Sequence, residues 1–169
     1  EASRTDALVV VRGSVSRPVR HLEFRGLAFR HTDRPFLRTA EPLLRSDWTI
    51  HRGGALFFSG TEDVAVSDCA LEQLGGNAVF VSGYNRRFRL AGSLLRDVGA
   101  SGVCFVGETQ AVRNPLLHYH QTLPVDRIDR TPGPRTPDYP ADCSVEDTLI
   151  TRTGRVEKQS AGVQISMAS

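Results

Sequence analysis

The sequence lacks a strong charge bias and a long apolar run, and each absence excludes a class of protein. Its 21 Lys and Arg residues are nearly balanced by 19 Asp and Glu residues, which leaves a net charge of +2. That balance gives no electrostatic basis for binding nucleic acid. No apolar run reaches the roughly 18 residues that suggest a membrane-spanning helix. We therefore expect neither a nucleic-acid partner nor a membrane partner.

The sequence also has few cysteines and no cofactor motif. The three cysteines, Cys69, Cys104 and Cys143, are an odd set without a zinc-type spacing, so we expect buried or half-buried free thiols. P-loop, dinucleotide-binding and nucleophile-elbow motifs are all missing, and we expect no cofactor. The chain opens with Glu1 and shows no signal peptide. A mature secreted or periplasmic protein, or a piece of one, would begin in this way.

What the sequence does contain is an internal repeat. One apolar segment begins at positions 55, 78, 102 and 162, so the first two intervals are 23 and 24 residues. The third interval is 60 residues, which is one repeat plus an insertion of about 36 residues. We align an earlier, weaker copy from Ala7, which places Val9 opposite Phe57.

Two further segments follow the first one in each repeat. The second segment recurs as Leu22 and Phe24, Val64 and Val66, Phe88 and Leu90, and Cys143 and Val145. The third recurs as Leu27 and Phe29, Cys69 and Leu71, Ser93 and Leu95, and Thr148 and Ile150. Apolar and polar residues alternate in all three, which is typical of short β-strands.

A single repeat of this kind cannot bury its apolar side, so successive repeats must stack. Stacking at roughly 4.8 Å pairs strand on strand in a parallel β-helix with three strands in each coil. The pattern predicts one all-β domain over residues 1–169, with about five coils. A leucine-rich repeat is disfavoured because its Leu and Asn consensus is missing. Because the chain stops inside the strand at residues 162–166 without a polar cap, we expect truncation at the C-terminal end and further coils of the same full-length chain.

The first strand of each repeat predicts a substrate groove. Strand alternation directs Val9, Phe57, Phe80, Cys104 and Gln164 outward, and this column is unusually apolar for a solvent face. Either inserted loops cover it or a ligand binds it. Insertions at residues 33–54 and 107–142, and a smaller one at 154–161, flank this face. A groove with these walls suits an extended polysaccharide or oligosaccharide.

The groove hypothesis selects side chains that suit sugar binding, because flat rings pack on sugar faces and polar groups bond hydroxyls. The predicted substrate-binding residues are Trp48, Arg52, Phe57, Phe80, Tyr84, His118, His120, Lys158 and Gln164. For Trp48, packing of its own loop onto the scaffold is an equally good interpretation. His118 and His120 flank Tyr119, as metal ligands sometimes do, but the sequence places no third ligand, so we expect no metal site.

Glycoside hydrolysis requires two carboxyl groups, roughly 5–5.5 Å apart with retention and 6.5–9.5 Å apart with inversion. The carboxylates on the groove side are Glu62, Asp63, Asp126, Asp129, Asp138 and Glu157. Of these, Asp126, Asp129 and Glu157 are the candidate catalytic residues. The competing interpretation is that such loop carboxylates are solvated or paired with arginines. A lyase would instead need a base, for which Arg86, Arg87 and Lys158 are the available cations.

Several segments resemble bacterial right-handed parallel β-helix proteins of the pectin-lyase-like superfamily. The segments are residues 41–50, 52–55, 75–81, 99–103 and 154–159. The nearest group is the β-helical glycoside hydrolases that include α-L-fucosidase and xylanase activities. The resemblance implies a right-handed parallel β-helix that is a fragment of a secreted glycoside hydrolase acting on plant or algal polysaccharide.

The same resemblance leaves the activity open, since that superfamily also contains lyases, epimerases and adhesins. The alternatives are a polysaccharide lyase or epimerase, and a non-catalytic glycan-binding or adhesive β-helix. The resemblance implies that the catalytic pair lies in later coils. The fragment would then supply scaffold and part of the substrate groove, and would be inactive alone.

Overall fold

The computed structural model describes residues 4–36, 38–44 and 49–169. This part of the chain is almost entirely β-structure, with short 3₁₀ turns at Thr109–Ala111 and Val125–Arg127. Within it, no helix is long and apolar enough to cross a membrane. The all-β prediction is therefore confirmed.

The strands are short, as the alternating segments predict. In chain order they are β1 (Val9–Arg12), β2 (Val19–Arg25), β3 (Ala28–Arg30), β4 (Glu41–Pro42), β5 (Thr49–Ile50), β6 (Leu56–Ser67), β7 (Ala70–Leu74), β8 (Val79–Arg86), β9 (Arg89–Ala91), β10 (Leu94–Val98), β11 (Val103–Val106), β12 (Pro140–Ala141), β13 (Ser144–Glu146), β14 (Leu149–Thr151) and β15 (Val163–Ser166).

Two sheets join strands of different repeats, and all their pairings are parallel. The larger sheet has nine strands, in the order β13-β9-β6-β8-β11-β15, with β1 and β2 also paired to β6 and β12 to β8. The smaller sheet has the order β14-β10-β7-β3. The insertion at residues 33–54 adds an antiparallel pair, β4 with β5. Parallel pairing between repeats is what the predicted stacking requires.

The register follows the columns that the sequence predicts. In the second segment Leu22 pairs with Val64 and Phe24 with Val66, and Leu90 lies between Val66 and Val145. In the third segment the pairing runs through Phe29, Leu71, Leu95 and Ile150. These side chains form the main core because strand alternation directs all of them to one side. The column prediction is confirmed for both segments.

The predicted register of the first strand is wrong by one residue. Val9 pairs with Leu56, and Val10 pairs with Phe57. Val9 therefore packs against the core, whereas Val10 is 51% exposed on the outer face. The sequence could not fix this register, because residues 8–11 are apolar at every position and show no alternation.

Phenylalanine rings from four repeats form a continuous contact within the core. The centroid of Phe58 lies 5.1 Å from Phe88 and 6.0 Å from Phe24, and Phe88 lies 6.1 Å from Phe105. Tilted and edge contacts of this kind stabilise aromatic pairs beyond the area that they bury. The rings therefore link neighbouring repeats across the core.

The turns are repeated as regularly as the strands. Residues with positive φ recur at three equivalent positions, which are His21, Asp63, Arg87 and Asp142; Gly26, Asp68, Gly92 and Asp147; and His31, Gln73, Asp97 and Arg152. This backbone conformation costs a residue other than glycine about 1–2 kcal/mol. Nine of the twelve residues are Gly, Asp or His, which adopt positive φ more readily than other residues, so local preference supports the bend that the stacked turns require.

Candidate functional site

The outward column predicted for the first strands exists, but it is not an open groove floor. Phe57 pairs with Phe80, Phe80 with Cys104, and Cys104 with Gln164, as predicted. The rings of Phe57 and Phe80 stack with centroids 6.0 Å apart, and Phe80 is fully buried.

The first insertion accounts for this burial. Leu43 and Ile50, from the β4–β5 segment, pack in one buried cluster with Phe57 and Phe80. Covering these two large rings removes their apolar surface from water, which favours packing of the insertion on the sheet. Phe57, Phe80 and Cys104 therefore do not form the floor of an open groove. The inserted loop covers them, as the competing interpretation expected.

Gln164 is also buried in this region and is held by protein groups. Its side-chain oxygen accepts a hydrogen bond from the Ser101 hydroxyl at 3.3 Å, and Ser101 in turn accepts one from the backbone N–H of Ala161 at 3.1 Å. Burial raises the pKa of the neighbouring Cys104 thiol to about 12. Gln164, a predicted sugar contact, is therefore only 7% exposed.

Arg52, a predicted substrate contact, lies where the two insertions meet the sheet. Its guanidinium group donates to both carboxylate oxygens of Glu41 in the first insertion. It also donates to Ser82 Oγ at 2.7 Å and to Glu108 Oε1 at 3.1 Å. Burial acts to lower the pKa of Arg52, but the two carboxylates outweigh burial and the pKa is raised. Arg52 is therefore a saturated cation that ties the insertions together.

Beside Arg52, the turn after β1, the bends within β6 and β8, and the two ends of the second insertion line an open cleft of about 480 Å³, here called the turn cleft. Its walls are Gly13, Ser14, Val15, Ser16, Ser59, Gly60, Gly83, Tyr84, Glu108 and Asp138. Neighbouring repeats contribute to the cleft, since Gly60 and Gly83 follow the paired residues Ser59 and Ser82. The predicted residue Tyr84 lies in it.

Two acidic residues, Glu108 and Asp138, line the turn cleft. The backbone N–H of Glu108 donates to the Asp138 carbonyl at 2.8 Å, which brings the two residues side by side. Arg52 bonds the Glu108 carboxylate, and the Thr136 hydroxyl donates to Asp138 Oδ2 at 2.8 Å. The Glu108 side chain remains 39% exposed, so it is both positioned and accessible.

Glycine at position 83 leaves room for the Glu108 carboxylate. Gly83 has φ +61°, and a Cβ at this position would lie 3.3 Å from Glu108 Oε1. The sequence patterns did not indicate Glu108. It follows β11 at the position equivalent to that of Tyr84 in the preceding repeat. That equivalence could have identified it. Asp138 was noted only among the wider set of carboxylates.

The second insertion is fastened beside the cleft by Arg86. The Arg86 guanidinium carbon lies 4.5 Å from the ring centroid of Tyr84 and 4.8 Å from that of Tyr139. The guanidinium also donates to the carbonyls of Tyr139, at 2.5 Å, and Pro137, at 3.1 Å. A guanidinium group between two aromatic faces is a favourable contact, and it holds this part of the loop against the sheet.

Tyr84 and Arg87 belong to a network of charged groups on the outer side of this turn. Tyr84 donates to Glu62 Oε1 at 2.6 Å, and this bond raises the pKa of Tyr84. Arg87 donates to both carboxylate oxygens of Asp63, at 2.7 and 2.9 Å, which raises its pKa further. Tyr84 therefore keeps its proton, and Arg87 stays a cation, near neutral pH.

The three predicted catalytic carboxylates do not gather at one place. Asp126 is exposed in the turn Val125–Arg127. Asp129 accepts from the backbone N–H of Thr131 at 2.9 Å and from Arg113 at 3.1 Å, and these contacts lower its pKa to about 2. Glu157 lines a separate small crevice, where burial raises its pKa. None of the three lines the turn cleft.

The remaining predicted contacts are exposed and distributed. His118 and His120 stack on each other at 5.5 Å within the second insertion, and Lys158 donates to the Gly154 carbonyl at 2.9 Å. Across the described ranges, no group of three or more His, Cys, Asp and Glu side chains could hold a metal ion. Trp48 lies outside the described residues.

Comparison of this chain with protein-family models, with curated proteins and with solved structures finds no match.

Proposed function

We propose that the repeats form a right-handed parallel β-helix, and that the chain is part of a secreted glycoside hydrolase whose turn cleft holds a polysaccharide. The β-helix proposal rests on parallel, in-register pairing at each strand position and on the recurrence of left-handed residues at equivalent turns. A stack of this kind offers a stiff edge along which an extended ligand can lie.

The observation that carries the functional proposal is that two acidic residues, Glu108 and Asp138, line one open cleft. Hydrolysis of a glycosidic bond uses one carboxyl group to protonate the leaving oxygen and a second to attack or to activate water. In the proposed role Glu108 and Asp138 supply these groups. Arg52 holds the Glu108 carboxylate in place, and Thr136 holds that of Asp138.

Other walls of the turn cleft suit a sugar. Ser14, Ser16 and Ser59 bring hydroxyl groups that can bond sugar hydroxyls. Tyr84 brings an aromatic ring whose apolar face can pack on a sugar. The cleft therefore combines positioning groups and acidic groups in one place.

Neither Arg87 nor Tyr84, beside the turn cleft, supports the lyase or epimerase alternative. A lyase or epimerase must remove a proton from carbon. Arg87 is held as a cation by Asp63, and the phenol of Tyr84 keeps its proton through Glu62. Neither group is poised to accept a proton.

The test combines binding with product analysis for the natural protein that contains this chain. Plant and algal oligosaccharides are screened by calorimetry and by release of reducing sugar, with Glu108→Gln and Asp138→Asn as variants. We expect each variant to reduce hydrolysis by about 10²–10⁴-fold while binding changes little. Asp126→Asn is the matched control, because Asp126 lies outside the cleft, and it should leave the rate unchanged.

Three outcomes would contradict the hydrolase proposal. Unchanged sugar release in both variants would place catalysis elsewhere. An ultraviolet-absorbing unsaturated product would indicate a lyase. Saccharide binding that survives both substitutions without any turnover would indicate a glycan-binding protein.

A further inference from the structure

A second cleft, of about 420 Å³, lies at the turn that follows the third strand of each repeat, and it is here called the arginine cleft. Its walls are His31, Thr32, Arg34, Gln73, Leu74, Gly75, Asp97, Arg155 and Val156. It shares no residue with the turn cleft.

His31, Gln73 and Asp97 come from three consecutive repeats whose turns are in register, and Arg155 and Val156 come from a fourth. Arg30 pairs with Glu72, and Glu72 with Arg96, so His31, Gln73 and Asp97 follow at equivalent positions. All three have positive φ. Since neighbouring strands lie about 4.8 Å apart, the cleft extends roughly 10 Å along the stacking direction.

The basic groups of the cleft have few partners. Among the residues that the structure describes, Arg34 makes no hydrogen bond or ion pair, and Arg155 reaches only Asp97, at 4.0 Å. The Asp97 carboxylate has its main partner in Arg152, at 2.7 Å. Arg34 and Arg155 are therefore free to bind a ligand.

Other acidic groups close to the cleft are already occupied or face elsewhere. Asp33, next to Arg34, pairs with Arg38 at 3.1 Å. Glu157 lines the adjoining crevice with Pro35 and Phe36, and burial raises its pKa. Within the described residues the arginine cleft thus has an excess of positive charge.

We propose that the arginine cleft binds the oxyanion groups, carboxylate or sulfate, of an acidic ligand. A guanidinium group presents a planar fork of donors that matches these groups with two parallel hydrogen bonds. Gln73 adds amide donors beside the two arginines. With its length of three repeats, the cleft suits a ligand that carries anionic groups in series, such as an acidic saccharide.

The test measures binding of three probes by calorimetry at low ionic strength. The probes are trigalacturonate, a neutral trisaccharide such as cellotriose, and inorganic sulfate. We expect trigalacturonate to bind and cellotriose not to bind, with affinity falling as salt is added. Arg34→Gln and Arg155→Gln should each weaken trigalacturonate about tenfold, as for the loss of one charge-assisted contact.

Arg25→Gln is the matched control, because Arg25 is an equally exposed arginine that pairs with Asp68 outside the cleft. It should leave the affinity for trigalacturonate unchanged. If sulfate binds with the same dependence on Arg34 and Arg155 and trigalacturonate does not, the oxyanion site stands and its ligand is a small free anion. Absence of binding by both anions, or binding that neither arginine variant weakens, would overturn the proposal.

A further variant separates this proposal from the hydrolase proposal. The double variant Glu108→Gln, Asp138→Asn alters the turn cleft alone and should retain anion binding. If that variant loses trigalacturonate while Arg34→Gln retains it, the acidic ligand occupies the turn cleft and the arginine cleft has no such role.

Discussion

Among single residues, Arg52 illustrates how partners decide what a charged side chain can do. Its fork of donors is filled by Glu41, Ser82, Glu108 and two backbone carbonyls. A group whose donors are already satisfied gains little from a ligand, because each new bond would replace an existing one. Arg52 is therefore better understood as a positioning residue for Glu108 than as a sugar contact.

Because the carboxyl group of Glu157 is partly buried, we expect the stability of the folded chain to depend on pH. Burial raises its pKa above the ordinary value of 4.5, so the folded chain binds this proton more tightly than the unfolded chain does. The stabilisation is complete below the unfolded pKa and is lost as the pH rises through the folded value. At pH 7 the burial of an ionised carboxylate is an uncompensated cost.

Glu157→Gln should therefore raise the melting temperature at pH 7, and its advantage should shrink toward pH 4. Thermal unfolding between pH 4 and pH 8 measures this trend. Glu146 is the control of opposite sign, because contacts with Ser144 and Arg89 lower its pKa, so that its stabilisation is lost on acidification. A Glu157→Gln melting difference that stays constant across this range would show that burial does not perturb Glu157.

At the level of residues, the sequence predicted orientation better than accessibility. Alternation correctly aligned Phe57 with Phe80 and Cys104, because a strand directs successive side chains to opposite faces. It could not reveal that Leu43 and Ile50 would cover them, since the path of an insertion is set by tertiary contacts. Glu108 was missed for a different reason, because it lies at the start of the second insertion, where the repeat pattern is interrupted.

Among the larger elements, the second insertion is ordered by contacts within the loop and by contacts with the sheet. Near its centre, Arg113 bonds Asp129 at 3.1 Å, and Asn114 and Asp129 bond each other through side chain and backbone. Near its end, Arg86 holds Pro137 and Tyr139. Long loops without their own core rely on such contacts for order.

Arg86→Ala should release the end of this insertion from the sheet. Both aromatic contacts and the two bonds to carbonyls would be lost together, so backbone amides near Tyr139 should exchange hydrogen faster and a protease should cut nearby sooner. Hydrogen exchange and limited proteolysis measure the change, with a global destabilisation of about 1–3 kcal/mol at most. Arg89→Ala is the control, because within the described residues Arg89 forms its ion pair with exposed Glu146, away from the insertion. Equal protection in both variants would show that Arg86 does not fasten the loop.

For the whole molecule, the sequence predicted the architecture where alternation was clear. The column through Phe24, Val66 and Leu90 was predicted correctly because a shift of one residue would move every apolar side chain to the wrong face. The predicted register of the first strand was wrong at Val9 and Val10, because both faces of that strand are apolar. The register is therefore predictable only as far as the two faces of a strand differ in polarity.

The stack of repeats predicts that equivalent core positions do not contribute equally. Leu95 is fully buried between Leu71 and Ile150, whereas Ile150 has a paired strand on one side only and is half-buried. Leu95→Ala should destabilise the chain by about 2–5 kcal/mol, because it removes contacts with both neighbours and leaves a cavity. Ile150→Ala should cost roughly half as much, in proportion to the apolar area that it buries. Denaturant unfolding measures both values, and an unchanged slope of unfolding free energy against denaturant concentration shows that the same surface is exposed.

In a stack each repeat contacts only its neighbours, so the number of neighbours determines the loss of stability. Equal losses at Leu95 and Ile150 would contradict this, because they would require a core that is shared by all repeats at once.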